Sequence, residues 1–211
     1  MLALLVAVII GGSLGVHAAV RQNKPDDYAT MALAMTGISI PTFVLAPLLI
    51  LVFAVGLNWL PAGGWAWKPA NIFLPVVTLS LPLIAYVARL TRASMIEVLR
   101  TSFIRTAKAK GLPQTAILFR HALKPAILPV ISYLGPAGAA VITGSVVVER
   151  IFTIPGLGNH FVQGALNRDY TLVMGVVIVY GMLIIAFNFI VDLIYALLDP
   201  RIRAQQHGAH K

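Results

Sequence analysis

The side chains able to do chemistry in this sequence are few and scattered. Asp192 interrupts an otherwise uncharged run that begins at Tyr170. An acid in that setting is a candidate relay; with Asp199 seven residues on, it could instead reach the interface or pair with an Arg. Glu149 and Arg150 stand together at the end of another uncharged run. His17, His121 and His160 lie far apart and read first as structural, and His207 and His210 sit in a polar tail where disorder competes with metal binding. No metal site is expected. Cysteine is absent, which excludes a disulfide scaffold, a thiolate metal site and a cysteine nucleophile. The patterns G-x-x-x-x-G-K-[ST] and H-E-x-x-H are also absent, and an intramembrane enzyme fits poorly. What is dense is positive charge. Arg89, Arg92, Arg100, Arg105, Lys108, Lys110, Arg120 and Lys124, half of the 16 Lys+Arg, fall within residues 89–124.

The elements that must position that cluster follow from composition. Of 211 residues, 59% are hydrophobic and 11% charged, with mean hydropathy +0.88. A soluble domain carries about 25% charged residues, so a water-soluble globule is excluded. The excess of 16 basic over 7 acidic residues would suggest nucleic acid in a soluble protein; in a membrane protein it marks cytoplasmic loops instead. A spanning helix needs about 20 apolar residues. Five segments qualify: residues 1–20, 31–57, 69–91, 125–148 and 170–198. The stretch 151–167 is uncharged but rich in Gly, Asn and Gln, and reads as a structured loop or re-entrant turn. Alternate connections hold thirteen and three Lys+Arg, so the thirteen-cation side is cytoplasmic, the C-terminus included. Trp59, Trp65 and Trp67 fall in a loop on the opposite side. This orientation puts Met1 outside, with no signal-peptide pattern; the expectation is a chain short of an upstream span, through truncation or a misplaced start.

The fold expected is all-α, a single polytopic domain over residues 1–211, with a cytoplasmic segment at 92–124 and an outer loop at 149–169. Pro41, Pro47, Pro75, Pro82, Pro129 and Pro136 fall within spans, where each removes a backbone donor and can kink its helix. Gly135, Gly138, Ala139, Ala140 and Gly144 form one small-residue stretch, and Gly11-x-x-x-Gly15 forms a second. Each such residue reads as helix packing; the set also suits helices lining a path that opens and closes. Within the cytoplasmic segment, residues 94–110 read as one helix, because Met95, Leu99 and Phe103 recur every four residues and Ile96 and Ile104 broaden that side. Gly111 then stands where a helix ends with positive φ, and Pro113 suits the first turn of a second helix reaching about Leu123.

Phe103-Ile104-Arg105-Thr106-Ala107-Lys108-Ala109-Lys110-Gly111-Leu112 resembles the "EAA loop" of ATP-binding-cassette importer permeases. Gly111 lies four residues after Ala107, as that motif requires, and Leu128-Pro129 matches its distal Leu-Pro. Arg105 and Thr106 stand where the general motif has Glu and Ala, and the stretch to Leu128-Pro129 is longer. Both departures are similar to the dipeptide/oligopeptide/nickel subfamily, whose pattern reads RTA-[RK]-A-K-G-L. Ser39-Ile40-Pro41-Thr42-Phe43 resembles its third-helix motif, and Arg120-His121-Ala122-Leu123-Lys124-Pro125-Ala126 its R-H-A-L-[RK]-N-A, with Pro125 departing from Asn. Val148-Glu149-Arg150-Ile151-Phe152, Pro155-Gly156-Leu157-Gly158 and Asn167-Arg168-Asp169-Tyr170 look like its outer loop. Leu198-Asp199-Pro200-Arg201-Ile202-Arg203 resembles its terminal signature.

The resemblance implies five helices of a six-helix permease fold in the bacterial inner membrane, without the first helix and its outer loop. It implies a translocation subunit of an importer for di- or oligopeptides or a related small solute, working by alternating access. The implied partners are a second homologous permease, two cytoplasmic ATPases that use ATP and Mg, an extracytoplasmic binding protein and the lipid membrane, with no nucleic acid. No cofactor is expected on this chain. Arg105, Thr106, Ala107, Lys108, Ala109, Lys110, Gly111 and Leu112 would couple to an ATPase; the bland alternative is a basic cluster touching anionic lipid. Glu149, Arg150, Pro155, Gly156 and Gly158 would form an outer gate or a binding-protein contact, and Glu149 with Arg150 could equally be an interfacial ion pair. A proton- or sodium-coupled carrier would need inverted repeats and midplane acids, which the sequence does not show. A non-transporting scaffold would not need the coupling motif.

Overall fold

Proline and charge set where each helix starts and stops. The computed structural model describes residues 1–66 and 68–198, and every regular element among them is a helix. Trp67, the Asp199–Arg203 part of the terminal signature, His207 and His210 lie outside the described residues. Helix α1 (Leu2–Val20) leads through a short turn, with Asn23 at φ 62°, into α2 (Pro25–Ser39). Pro25 opens α2 because the first turn needs no N–H there, and Asp26 and Asp27 complement the positive end of its dipole. Helix α3 (Thr42–Leu49) continues into a π-helical stretch (Ile50–Gly56). Pro69 opens α4 (Pro69–Leu99), followed by α5 (Ser102–Ala109). A short α6 (Gln114–Ala116) passes through a π-helical stretch (Ile117–Ala122) into α7 (Leu123–Ala126), and α8 (Leu128–Ile151) follows. Helices α9 (Leu157–Leu166) and α10 (Tyr170–Leu198) complete the described chain.

Four of these helices are long and apolar enough to cross a membrane, and a fifth span exists if the bent pair Pro25–Ser39 and Thr42–Gly56 counts as one. That pair corrects the expectation of one helix over 31–57: Pro41, read as able to kink it, breaks it in two. It starts earlier, and its halves meet at 99°. The cause is local: Pro41 has no N–H to donate, and the residue before it is driven out of the helical region, as Ile40 is at φ −105° and ψ 118°. The fourth span also starts later than 125, because Ile127 separates α7 from α8. The stretch 151–167, expected as a loop or re-entrant turn, contains the ten-residue α9.

Glycines let the long helices touch backbone to backbone. A Cβ at Gly11 would lie 2.7 Å from the Ile84 carbonyl oxygen, and one at Gly15 2.5 Å from that of Ala88, so α1 and α4 pack in parallel along Gly11-x-x-x-Gly15. Helix α2 closes on the same helix, with the Gly37 Cβ position 2.6 Å from the Leu81 carbonyl oxygen. On the other side, Gly135 and Gly138 of α8 receive Asn188 and the Phe187 ring of α10. Small residues give lipid-embedded helices the close contact that a hydrophobic drive cannot supply there. Most of α10 is otherwise bare, with Met174, Ile185 and Phe189 at least 63% exposed. Such a surface suits lipid or another subunit.

Candidate functional site

The basic segment is built on the end of α4. That helix runs past residue 91, where its span was expected to finish, and ends at Leu99. Arg100 and Thr101 make a sharp elbow, Thr101 taking extended geometry at φ −68° and ψ 159° while its hydroxyl donates to the Val98 carbonyl at 2.6 Å. The continuous helix expected over 94–110 is therefore two helices, α4 and α5. Thr101 and Ser102 are residue types that favour helix starts. The elbow also shifts the apolar register. Met95 is fully buried, but Phe103, expected on the same side, is 48% exposed, and Ile104 and Ala107 turn inward instead.

Helix α5 ends in a Schellman motif. The Gly111 N–H donates to the Lys108 carbonyl at 2.9 Å and the Leu112 N–H to the Ala107 carbonyl at 3.3 Å, with Gly111 at φ 77°. This geometry gives a physical reason for the spacing between Ala107 and Gly111: they are the two anchor positions of the cap. A left-handed residue at 111 then turns the chain into Pro113 and α6.

Behind this turn, Ile104 and Ala107 of α5 enter a cluster with Met95 of α4, Ala19 of α1, and Ile117, Ala122 and Ala126 of the following segment. In front of it, Arg105, Thr106, Lys108, Ala109, Lys110, Gly111 and Leu112 are exposed. No described acid pairs with Arg105, Lys108 or Lys110. The structure thus presents one exposed cationic ridge backed by an apolar cluster that joins α5 to α1 and α4.

Two charged residues that sequence reasoning did not single out as a site lie beside this core. Asp27 is fully buried, and its carboxylate accepts both Nε and Nη2 of Arg92 at 2.6 Å and the Asn23 N–H at 2.9 Å.

The opposite end carries the second group of expected residues. Glu149 and Arg150, on the last turn of α8, do not pair with each other; each engages α9. Glu149 accepts the Ser145 hydroxyl at 2.7 Å and the Gly158 N–H at 2.9 Å, capping α9 from a neighbouring helix. Arg150 donates to the Asn159 side chain at 3.0 Å. Gly156 lies against the Glu149 carboxylate, and Gly158 against the α8 backbone at Val146. Loop residue Gly64 donates to the Phe152 carbonyl at 2.8 Å, so the 58–66 loop rests on the same turn. Pro155, on the link to α9, is exposed. These residues form one bracket. Asp192 is exposed on α10 and pairs with no described residue. His17 and His160 are exposed, and no group of three metal-ligating side chains occurs among the described residues.

Comparison with known proteins bears on the family and the fold. A family model described as "Binding-protein-dependent transport system inner membrane component" matches residues 11–204. The oligopeptide transport system permease protein OppB of Salmonella typhimurium is 59% identical over 202 residues, covering 95% of this chain. The dipeptide transport system permease protein DppB of Bacillus subtilis is 50% identical over 208 residues, covering 99% of this chain and 67% of its own length. The chain spans 66% of the length of the OppB relative. Among solved structures, an inward-facing form of the MetNI methionine ABC transporter superposes with a TM-score of 0.73 at 18% identity, over 93% of this chain and 91% of that one. At that identity the likeness is one of fold.

Proposed function

We propose, from the premise that this chain belongs to the inner-membrane components of binding-protein-dependent transport systems, that it is a translocation subunit of an ATP-driven peptide importer. It moves di- or oligopeptides across the membrane by alternating access, beside a second homologous permease. Two separate ATPase subunits supply the energy, consuming ATP and Mg, and an extracytoplasmic binding protein delivers the substrate. This chain hydrolyses no ATP itself. The observation that carries the peptide reading is the 59% identity to OppB across 95% of the chain. The end bearing α5 faces the cytoplasm, as does the C-terminus, and the Glu149 bracket faces outward.

In this reading residues 105–112 are the contact with an ATPase. The exposed cationic ridge enters the ATPase, and the buried Ile104 and Ala107 pass its closure into the cluster that joins α1 and α4. Closure then switches which side the cavity opens to. Glu149, Arg150, Pro155, Gly156 and Gly158 hold the outer segment as one piece, as a gate or a landing for the binding protein requires.

The test is reconstitution of the complete transporter in proteoliposomes with its binding protein and a radiolabelled tripeptide. Accumulation should require ATP, the ATPases and the binding protein, and unlabelled peptides should compete. Accumulation that persists without the ATPases would instead make the chain part of a secondary carrier.

A further inference from the structure

The Asp27–Arg92 pair has a geometry that stability alone does not explain. Asp27 is buried and the Arg92 side chain is 27% exposed, and taking an ion pair out of water costs about as much as its attraction returns. What a bidentate guanidinium–carboxylate pair supplies is angular register, because both N–H groups must align with both oxygens. Here the partners are 65 positions apart: Asp27 in the first turn of α2, Arg92 near the end of α4. The same carboxylate also holds the Asn23 N–H, so the turn between α1 and α2 is fixed along with α2. Just past the end of α4, Arg100 donates to the Gln22 side chain at 3.4 Å, a second tie between the turn and the C-cap of that helix. Arg92 lies one helical turn before Met95, which touches the cluster that receives Ile104 and Ala107.

The weak point in this train is the Arg100–Thr101 elbow. A push on α5 can either bend it or move what stands behind it. If α4 alone received the push, it would slide against α1 and α2. With the turn tied to α4 at Asp27 and Gln22, all three helices must move together.

We propose that Asp27 and Arg92 are positioning residues for energy coupling: their bidentate pair locks the α1–α2 turn to the end of α4, so that displacement of α5 moves α1, α2 and α4 as one body. This rests on residues 105–112 being the ATPase contact. Peptide moved per ATP hydrolysed, measured on the complete reconstituted transporter and normalised to assembled complex, is the readout. Asp27→Asn should lower that ratio by at least about fivefold while ATPase activity persists. Arg92→Lys, which keeps the charge but loses the fork, should fall between Asp27→Asn and wild type. If assembled complex becomes scarce but keeps the wild-type ratio, the pair is merely structural and the proposal is overturned.

A second measurement leaves the pair intact. Because this chain has no cysteine, Gln22→Cys with Arg100→Cys can be bridged by a short bifunctional thiol reagent. Bridged transporter should keep its ratio, since the two sites move together; loss of transport on bridging would overturn the proposal. Gly111→Val serves as the reference. If it uncouples while the Asp27 and Arg92 variants do not, the lock is refuted and the ATPase contact stands. If it too keeps the wild-type ratio, the contact itself is refuted, and the lock with it.

Discussion

Gly111→Val is expected to reduce peptide transport per ATP by about tenfold or more, with normal amounts of the chain in the membrane. The cause lies in the backbone. A Cβ built at Gly111 meets nothing within 4 Å, so no clash inside the chain resists a side chain. At φ 77°, however, an L-residue pays roughly 1–2 kcal/mol, and β-branching adds to that. The chain can relieve the strain by leaving the left-handed region, which breaks the bonds from Gly111 to Lys108 and from Leu112 to Ala107. The angle between α5 and the following helix then changes. Because Ile104 and Ala107 lie on the inner side of the same short helix, the ridge would no longer meet the proposed ATPase contact in register. The order of severity should be Asn, then Ala, then Val, following each residue's tolerance of the left-handed region. Equal transport in all three, at equal abundance, would show that the turn carries no force.

Gly111 is legible in the sequence because a glycine that follows a cationic last turn and precedes proline has a well-defined use at a helix end. The spans are legible for a related reason: lipid requires long uncharged runs. The two breaks are harder to see. Hydropathy hardly changes across Ser39, Ile40 and Pro41, so a 99° bend looks like one span. At Thr101 the apolar spacing runs on through the elbow, and Phe103 joins a stripe that the structure divides. Composition also misleads at α9, where Gly, Asn and Gln suggest a loop. The helix forms there with an acceptor borrowed from α8, since Glu149 takes the Gly158 N–H. Asp27 and Arg92 are the plainest case of what a sequence hides. Singly, one is an acid at a helix start and the other a cation on the basic side; only folding brings them together.

Gly15→Leu should be the most damaging single change in the membrane-embedded part, reducing assembled complex severely, whereas Gly12→Leu should be tolerated. A Cβ at Gly15 would stand 2.5 Å from the Ala88 carbonyl oxygen, 2.6 Å from the Thr91 Cβ and 3.0 Å from the Arg92 nitrogen. Two of these neighbours are backbone and cannot rotate away. Overpacking a core commonly costs about 1–3 kcal/mol, and here relief requires separating whole helices, which places the cost at the upper end. Gly12, three residues earlier on the same helix, meets nothing within 4 Å and borders an apolar groove of about 500 Å3 that includes Phe119 and Leu123. The two variants add the same side chain at nearly the same depth, so hydrophobicity and membrane insertion cancel in the comparison. Complex recovered from membranes and its melting temperature in detergent give the measurement. Equal tolerance of both would mean that α1 and α4 are not held by the Gly11–Gly15 seam. A selective loss at Gly15 would tie assembly to the seam that carries Arg92 to Asp27, because one of the three atoms the new side chain would meet is the backbone nitrogen of Arg92, whose guanidinium holds Asp27.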